Sequence, residues 1–274
     1  MKKIISIALL LCWPCISAAN GKLLATPGGS QLEGSAGGGL VPWAQLAGYA
    51  SEDEMALSGY CTRASVDDFE LDTCGVQANF FDRLEVSYAE QRFDVDPLAL
   101  TLEQSIIGAK VRLYGDLVYS AWPQVSLGMQ HKRLDSADIA FAVGAKEDSG
   151  TDVYLAASKL HLGLINGYNF LWNATVRYTQ ANEMGLLGFG GAQGNGALHA
   201  ELSAAVLFNQ HLAVGMEYRQ KPDNLGLGED DWRDVFVAWF PNKHISVTAA
   251  YVQLGSIATV ADQDGWYLSI TGYY

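Results

Sequence analysis

Apolar and polar residues alternate with a period of two along most of the chain. Between Phe170 and Tyr178, for example, every second residue is apolar, and Asn173, Thr175 and Arg177 occupy positions between them. Side chains two residues apart lie on the same face of a β-strand, so this segment predicts a strand with one apolar and one polar face. The alternation recurs and predicts twelve strands, at roughly 54–66, 69–80, 84–93, 105–115, 124–133, 152–163, 169–180, 197–208, 212–220, 232–240, 244–254 and 265–274.

The connections between these strands alternate in length. Short turns fall at 81–83, 122–123, 166–168, 209–211 and 241–243, whereas long polar or Gly-rich stretches fall at 94–103, 134–150, 181–196, 221–231 and 255–265. Short turns at one end and long loops at the other are typical of outer-membrane barrels, whereas the two ends of a soluble β-sandwich would not differ so regularly. The pattern therefore predicts an all-β fold, a transmembrane antiparallel up-and-down β-barrel of about twelve strands. An even strand number places both termini in the periplasm.

Aromatic residues stand near the ends of the apolar faces, where the two interfaces of a membrane would lie. They are Phe170, Tyr178, Phe208, Tyr218, Trp239, Tyr251, Trp266 and Tyr274. The last predicted strand ends on an aromatic residue and places Trp266, Leu268, Ile270 and Tyr274 on one face. It resembles the C-terminal strand of bacterial outer-membrane proteins, which the outer-membrane assembly machinery reads. We therefore interpret these four residues as a C-terminal assembly signal.

The N-terminus has the pattern of a cleavable signal peptide. Lys2 and Lys3 precede an apolar run at 4–16, and small residues at 17–19 supply a cleavage site. The run is shorter than the about 20 apolar residues that a membrane-spanning helix needs. This pattern predicts export, and together with the strands it predicts a protein of the outer membrane of a Gram-negative bacterium.

The mature chain divides into two parts. Residues 20–51 are rich in glycine, including the run Gly37–Gly39, and residues 52–274 contain the predicted barrel. Three interpretations of residues 20–51 stay open: a periplasmic extension, a plug in the lumen, or an additional strand.

Two cysteines, Cys61 and Cys74, remain after removal of the signal peptide. A turn at 67–68 pairs Val66 with Phe69, and this register places the two cysteines directly opposite each other. Cross-strand neighbours of this kind are close enough for a disulfide, and an exported protein meets an oxidising compartment. We therefore predict a Cys61–Cys74 disulfide.

The polar faces of the predicted strands carry charges of both signs. Keeping Phe208 and Leu212 on one face requires a three-residue turn, which sets Glu201 opposite Arg219. The residues that we expect to line the lumen are Lys110, Arg112, Lys132, Arg177, His199, Glu201, Glu217 and Arg219. The leading interpretation is a narrow channel for passive diffusion of small polar solutes. The alternatives are a structural or adhesive barrel with a closed lumen, and a lipid-modifying barrel enzyme.

Composition and spacing limit the other classes of function. The chain of 274 residues has a net charge of −13 and no basic stripe, which argues against binding nucleic acid. The five histidines lack the spacing of metal ligands, and the acidic cluster at 229–231 matches no calcium loop. Ser158 and Ser203 are the serines nearest to histidines by register, but no nucleophile elbow accompanies them. We therefore expect a non-enzymatic protein without a cofactor or metal, in contact with outer-membrane lipid and lipopolysaccharide.

Four stretches, 37–44, 80–89, 211–225 and 240–244, resemble a proteobacterial family classified as domain of unknown function 3034. The resemblance spans most of the mature chain and implies an outer-membrane β-barrel. It carries over no substrate and no catalytic residue. Cys61 and Cys74 are not part of the family pattern, so the predicted disulfide depends on register alone.

Overall fold

The computed structural model describes residues 22–274, so the predicted signal peptide lies outside the described residues. Two short strands, β1 (Gly29–Ser30) and β2 (Ala36–Gly37), pair near the N-terminus. The barrel strands are β3 (Met55–Val66), β4 (Phe69–Phe80), β5 (Leu84–Val95), β6 (Leu100–Tyr114), β7 (Gln124–Leu134), β8 (Ser149–Ile165), β9 (Tyr168–Thr179), β10 (Ala197–Leu207), β11 (Leu212–Arg219), β12 (Trp232–Asn242), β13 (Ile245–Ile257) and β14 (Val260–Tyr273).

These twelve long strands form a closed antiparallel barrel. Each strand pairs with its neighbours in sequence, and β14 pairs with β3 to close the ring. Both ends of the barrel sequence lie at one end of the barrel, where the backbones of Leu57 and Tyr274 exchange hydrogen bonds of 3.0 and 2.7 Å. We call this the terminal end, and the opposite end the loop end. The predicted twelve-stranded up-and-down barrel is confirmed.

The two faces of the wall differ in chemistry. Aliphatic and aromatic side chains such as Leu57, Ile107 and Trp239 point outward and are about half-exposed, whereas polar side chains such as Gln77 and Thr175 point inward and are buried. This is the reverse of a soluble protein and is the arrangement of a barrel whose outer surface meets lipid. Closure of the ring also pairs the backbone groups that an open sheet edge would leave unpaired.

Two of the predicted long loops, 94–103 and 255–265, are wrong. β5 and β6 continue to a single 3₁₀ turn, Asp96–Leu98, and β13 and β14 meet at 258–259. The polar residues that suggested a loop at 94–103 instead extend the strands, because outward-facing charges neutralise one another near the loop end. Arg92 there contacts Asp94 at 3.2 Å and Glu103 at 3.7 Å.

The remaining connections keep part of the predicted asymmetry. The long ones at the loop end are 135–148, which contains the short helix α1 (Asp138–Ala142), 180–196 and 220–231. At the terminal end, the connection 115–123 is longer than the predicted turn at 122–123. In the described part of the chain, no helix is long and apolar enough to cross a membrane.

The first hairpin contains the Cys61–Cys74 disulfide. The two residues are direct partners across β3 and β4, with their Cα atoms 4.1 Å apart. The same register places Arg63 opposite Asp72, and the two side chains form a bidentate pair at 2.7 and 2.6 Å. Both pairs lie on the outward face of the wall.

Candidate functional site

Residues 22–51 fold back into the barrel and fill its lumen; we call them the plug. The chain starts near the terminal end, where the Lys22 ammonium contacts Asp82 at 2.6 Å, and turns back at the hairpin of β1 and β2. It then returns to the terminal end and continues into β3. Glu33 and Val41 have no exposed surface, and Trp43 is 5% exposed. The lumen is therefore occupied by the protein's own chain.

A buried charge cluster holds the middle of the plug. The Glu33 carboxylate contacts Arg219 at 2.8 Å, Arg177 at 3.3 Å and the ammonium of Lys132. Two wall carboxylates complete the cluster: Asp152 contacts Lys132 at 2.6 Å, and Glu201 contacts Arg177 at 2.6 Å. We call these six residues the Glu33 cluster. Its three cations and three carboxylates balance in charge.

The pKa of Glu33 reports the balance of forces in this cluster. Burial raises the pKa of this carboxyl, but the charges of Arg177, Arg219 and Lys132 act in the opposite direction and outweigh burial. The pKa is therefore held well below its ordinary value, and Glu33 is ionised at neutral pH. The plug thus carries a buried negative charge that the wall compensates.

A further wall carboxylate, Glu217, binds the backbone of the plug. Glu217 accepts hydrogen bonds from the amides of Gly39 and Leu40, both at 2.7 Å, and from the Trp43 indole at 3.1 Å. The glycine run makes this approach possible, because a Cβ atom on Gly38 would lie 1.9 Å from a Glu217 oxygen. Glycine is therefore required where the plug touches the wall.

A third contact involves Lys110 and Glu85 on neighbouring strands. The Lys110 ammonium donates hydrogen bonds to the carbonyls of Ala36 and Gln45, at 2.9 and 2.7 Å. Glu85 accepts hydrogen bonds from the amides of Ala36 and Ala47, at 3.1 and 2.8 Å. The wall therefore binds peptide groups of the plug as well as its single carboxylate.

The loop end is covered by the connection 180–196, which folds into the barrel. Leu186 and Phe189 are buried, and the Gln104 amide donates a hydrogen bond to the Met184 carbonyl at 3.3 Å. An apolar cavity of about 40 Å³ lies between this loop and Leu32 and Leu40 of the plug. The lumen is thus closed from both ends.

Lys221 lies between the carboxyl groups of Glu183 and Glu229 and holds the folded-in loop in place. Its ammonium lies 2.6 Å from Glu183 and 2.6 Å from Glu229. Burial raises the pKa of Glu183 to about 8, because the attraction of Lys221 only partly opposes the loss of solvation and the neighbouring Glu229 raises the pKa further. Glu183 is therefore protonated when the loop is docked at neutral pH.

We expect the docked loop 180–196 to loosen as the pH rises from about 4.5 to about 8. An undocked Glu183 loses its proton near its ordinary pKa of 4.5, whereas the docked one keeps its proton up to about pH 8. The docked state binds more protons in this range, so docking loses stability as the pH rises through it. Hydrogen exchange of the amides of 182–190 measures the effect. Glu183→Gln should abolish the pH dependence, and protection that is equal at pH 5 and pH 9 in the wild type would contradict this prediction.

The eight residues expected to line the lumen all belong to the inward face. Lys110, Lys132, Arg177, Glu201, Glu217 and Arg219 are buried, and all but Glu201 contact the plug directly. Arg112 lies at the terminal end and pairs with Asp82 and Asp116 instead. In the described structure His199 lies toward the loop end, and its two ring nitrogens are buried without a hydrogen-bond partner.

Among the charged residues of this site that sequence reasoning missed are Glu33, Glu85 and Asp152. Glu85 and Asp152 occupy polar positions of predicted strands, so the alternation could have identified them. Glu33 has a different signal, because it is the only charged residue between Lys22 and Glu52. A single charge in a segment otherwise composed of apolar, small and uncharged polar residues indicates a specific partner.

The serines considered as nucleophiles also hold the plug. The Ser158 hydroxyl accepts a hydrogen bond from the Ala44 amide at 2.9 Å, and the Ser203 hydroxyl accepts one from the Trp43 indole at 2.8 Å. Ser203 donates to Glu217 at 2.6 Å, so its partner is a structural carboxylate. Among residues 22–274, no group of three potential metal ligands comes together.

The predicted C-terminal signal residues lie on the outward face of β14. Trp266, Leu268 and Ile270 are about half-exposed, and Tyr274 is the most exposed of the four. Their backbones pair with β3 or lie beside it, so this strand completes the ring.

These features define a twelve-stranded β-barrel closed by its own N-terminal plug. The chain belongs to the family described as protein of unknown function (DUF3034), whose pattern matches residues 26–271 and so includes most of the plug. No curated protein has a similar sequence.

Several solved β-barrels have a similar fold. The NanC porin superposes with a TM-score of 0.51 at 8% identity, covering 80% of this chain and 99% of that protein. The KdgM porin has a TM-score of 0.48 at 8% identity, covering 78% and 98%. The outer membrane protein Omp33 of Acinetobacter baumannii has a TM-score of 0.48 at 10% identity, covering 80% and 97%. At these identities, the likeness to the NanC porin shows the fold alone.

Proposed function

We propose that this protein is an outer-membrane channel for small polar solutes and that the plug closes it at rest. The polar interface between plug and wall carries this proposal, because charged wall side chains bind the backbone of the plug and Glu33. Buried ion pairs add little net stability, since desolvation of both charges offsets their attraction. A wall of this kind also hydrates readily when the plug leaves.

The barrel does not depend on the plug for its backbone hydrogen bonds. Its twelve strands pair with one another around a closed ring, so displacement of residues 22–51 leaves the ring intact. A channel that opens by release of the plug is therefore compatible with a stable barrel.

The proposed orientation places the terminal end in the periplasm and the loop end outside the cell. The outward apolar band, the even number of strands and the N-terminal signal pattern support this assignment. In this orientation the plug enters from the periplasm, and the folded-in loop 180–196 covers the opening from outside.

Single-channel recording in planar bilayers tests the channel proposal. The mature chain is compared with a variant in which residues 29–50 are replaced by a short Gly-Ser linker, after heat-modifiable migration has shown that both are folded. We expect rare openings of the wild type and sustained current through the linker variant. The charged wall then borders water, and loop 180–196 loses the surface of Leu32 and Leu40 on which it packs. A folded linker variant without conductance would contradict the proposal.

The main alternative is a barrel that stays permanently closed and acts through its surface. Both candidates predict current through the linker variant. They differ in the wild type, because a permanently closed barrel would show no opening at any voltage. That combination of results would support the structural alternative and overturn the channel proposal.

A further inference from the structure

The plug contributes one carboxylate to the lumen, that of Glu33, and the wall provides most of the contacts to it. The Glu33 carboxylate is bound by Lys132, Arg177 and Arg219, whereas its contact within the plug is the Gln31 amide at 2.5 Å. The three cations belong to β7, β9 and β11, so they stay in the wall when the plug moves. The binding site for a carboxylate is therefore a property of the barrel.

Within the Glu33 cluster, removal of Glu33 leaves a charge that one anion can balance. Without Glu33, the ion-pair partners of the three cations among residues 22–274 are Asp152 and Glu201, which leaves one excess positive charge in the cluster. A monovalent carboxylate restores neutrality, whereas a phosphate carries roughly 1.5 to 2 negative charges at neutral pH and overshoots it. Two guanidinium groups also offer the planar, paired donors that match a carboxylate.

His199 extends this site toward the loop end. It is the direct neighbour of Arg177 across β9 and β10, and both residues point inward. Within the described chain, both nitrogens of its ring are buried and lack a hydrogen-bond partner. An imidazole can serve as donor or acceptor, so it suits a hydroxyl or amide elsewhere on a bound molecule.

We propose that Glu33 occupies a binding site for the carboxylate of a small anionic solute, so that plug and solute compete for Lys132, Arg177 and Arg219. This inference rests on the proposed function, because the solute reaches the site only when the plug is displaced. It defines the transported class as small monocarboxylates. The Glu33 carboxylate of the plug then competes with the transported solute for the same three cations.

Chemical rescue of Glu33→Ala tests the carboxylate site. This substitution removes the terminal methylene and carboxylate of the side chain, the part that glutamate shares with propionate, so the plug of the variant docks weakly. We expect added propionate to restore the closed state and raise the temperature of heat-modifiable migration, and neutral propionamide to have no effect. At a propionate concentration ten times its Kd, the population shifts about elevenfold toward the state that binds it.

Two variants control this experiment. Glu52→Ala removes an exposed carboxylate at the end of the plug region and should not respond to propionate. Glu33→Ala combined with Arg219→Gln loses a cation of the site and should lose most of the rescue. Equal effects of propionate and propionamide on Glu33→Ala would overturn the inference.

Recording from the linker variant separates this inference from the channel proposal. We expect propionate to reduce its chloride current, and Arg219→Gln in the linker background to weaken that block. Conductance without block would keep the channel and refute the carboxylate site. Rescue of Glu33→Ala together with a silent linker variant would keep the site as an anchor for the plug, refute the channel and remove the assignment of a transported solute.

Discussion

Replacing Gly39 with valine is expected to release the plug and open the barrel. A Cβ atom at this position would lie 2.1 Å from the Tyr267 hydroxyl oxygen, and Tyr267 is almost completely buried in the wall. Neither side can move away cheaply, because the Gly39 amide is also bonded to Glu217. Overpacking of this kind costs about 1–3 kcal/mol, so a shift of about 2 kcal/mol would raise the open fraction roughly thirtyfold.

Bilayer recording measures the open fraction of Gly39→Val directly. Gly29→Ala is the matched control, because its new Cβ would have its nearest neighbours at 3.7 Å, an ordinary contact distance. Combining Gly39→Val with Tyr267→Ala provides space for the larger residue and should restore the closed state. A Gly39→Val protein that is as silent as the wild type would show that the plug does not control the opening.

The alternation of residues was sufficient to predict the barrel because the two faces of its wall differ so strongly in chemistry. Every predicted strand is present, and most strand ends agree within a few residues. The register of the first hairpin followed from its two-residue turn, which is why the pairing of Cys61 with Cys74 could be proposed from sequence. The two segments wrongly predicted as loops, 94–103 and 255–265, share one cause. Where the outward face of a strand carries charges, both faces are polar, and the alternation that would distinguish the strand from a loop is lost.

The sequence left a plug as one of three interpretations of residues 20–51, because periodicity says which face a residue occupies and not what that face contacts. Glu33 is 99 residues from Lys132 and 186 residues from Arg219 along the chain. The polar inward face that suggested a water-filled lumen is equally suited to bind a polar segment of the chain. Only the three-dimensional structure distinguishes water from peptide as the partner of these charges.

Replacing Arg177 with methionine is expected to cause the largest loss of stability of any single change in the lumen. The guanidinium contacts Glu201 at 2.6 Å, Asp152 at 3.3 Å and Glu33 at 3.3 Å, and it lies over the Tyr154 ring at 5.3 Å. Methionine fills a similar length but removes the charge, which leaves carboxylates buried with too few cations. Removing one partner of a buried ion pair costs about 3–5 kcal/mol.

The temperature of heat-modifiable migration should therefore fall strongly for Arg177→Met, and the plug should become accessible to proteases added from the terminal end. Arg133→Met is the control, because Arg133 lies on the exposed outward face of β7 and its loss leaves no carboxylate buried. Adding Glu201→Gln to Arg177→Met removes the excess negative charge and should recover part of the lost stability. If the double variant is no more stable than Arg177→Met, the loss comes from packing around Tyr154 and not from charge, and the electrostatic account of the Glu33 cluster is wrong.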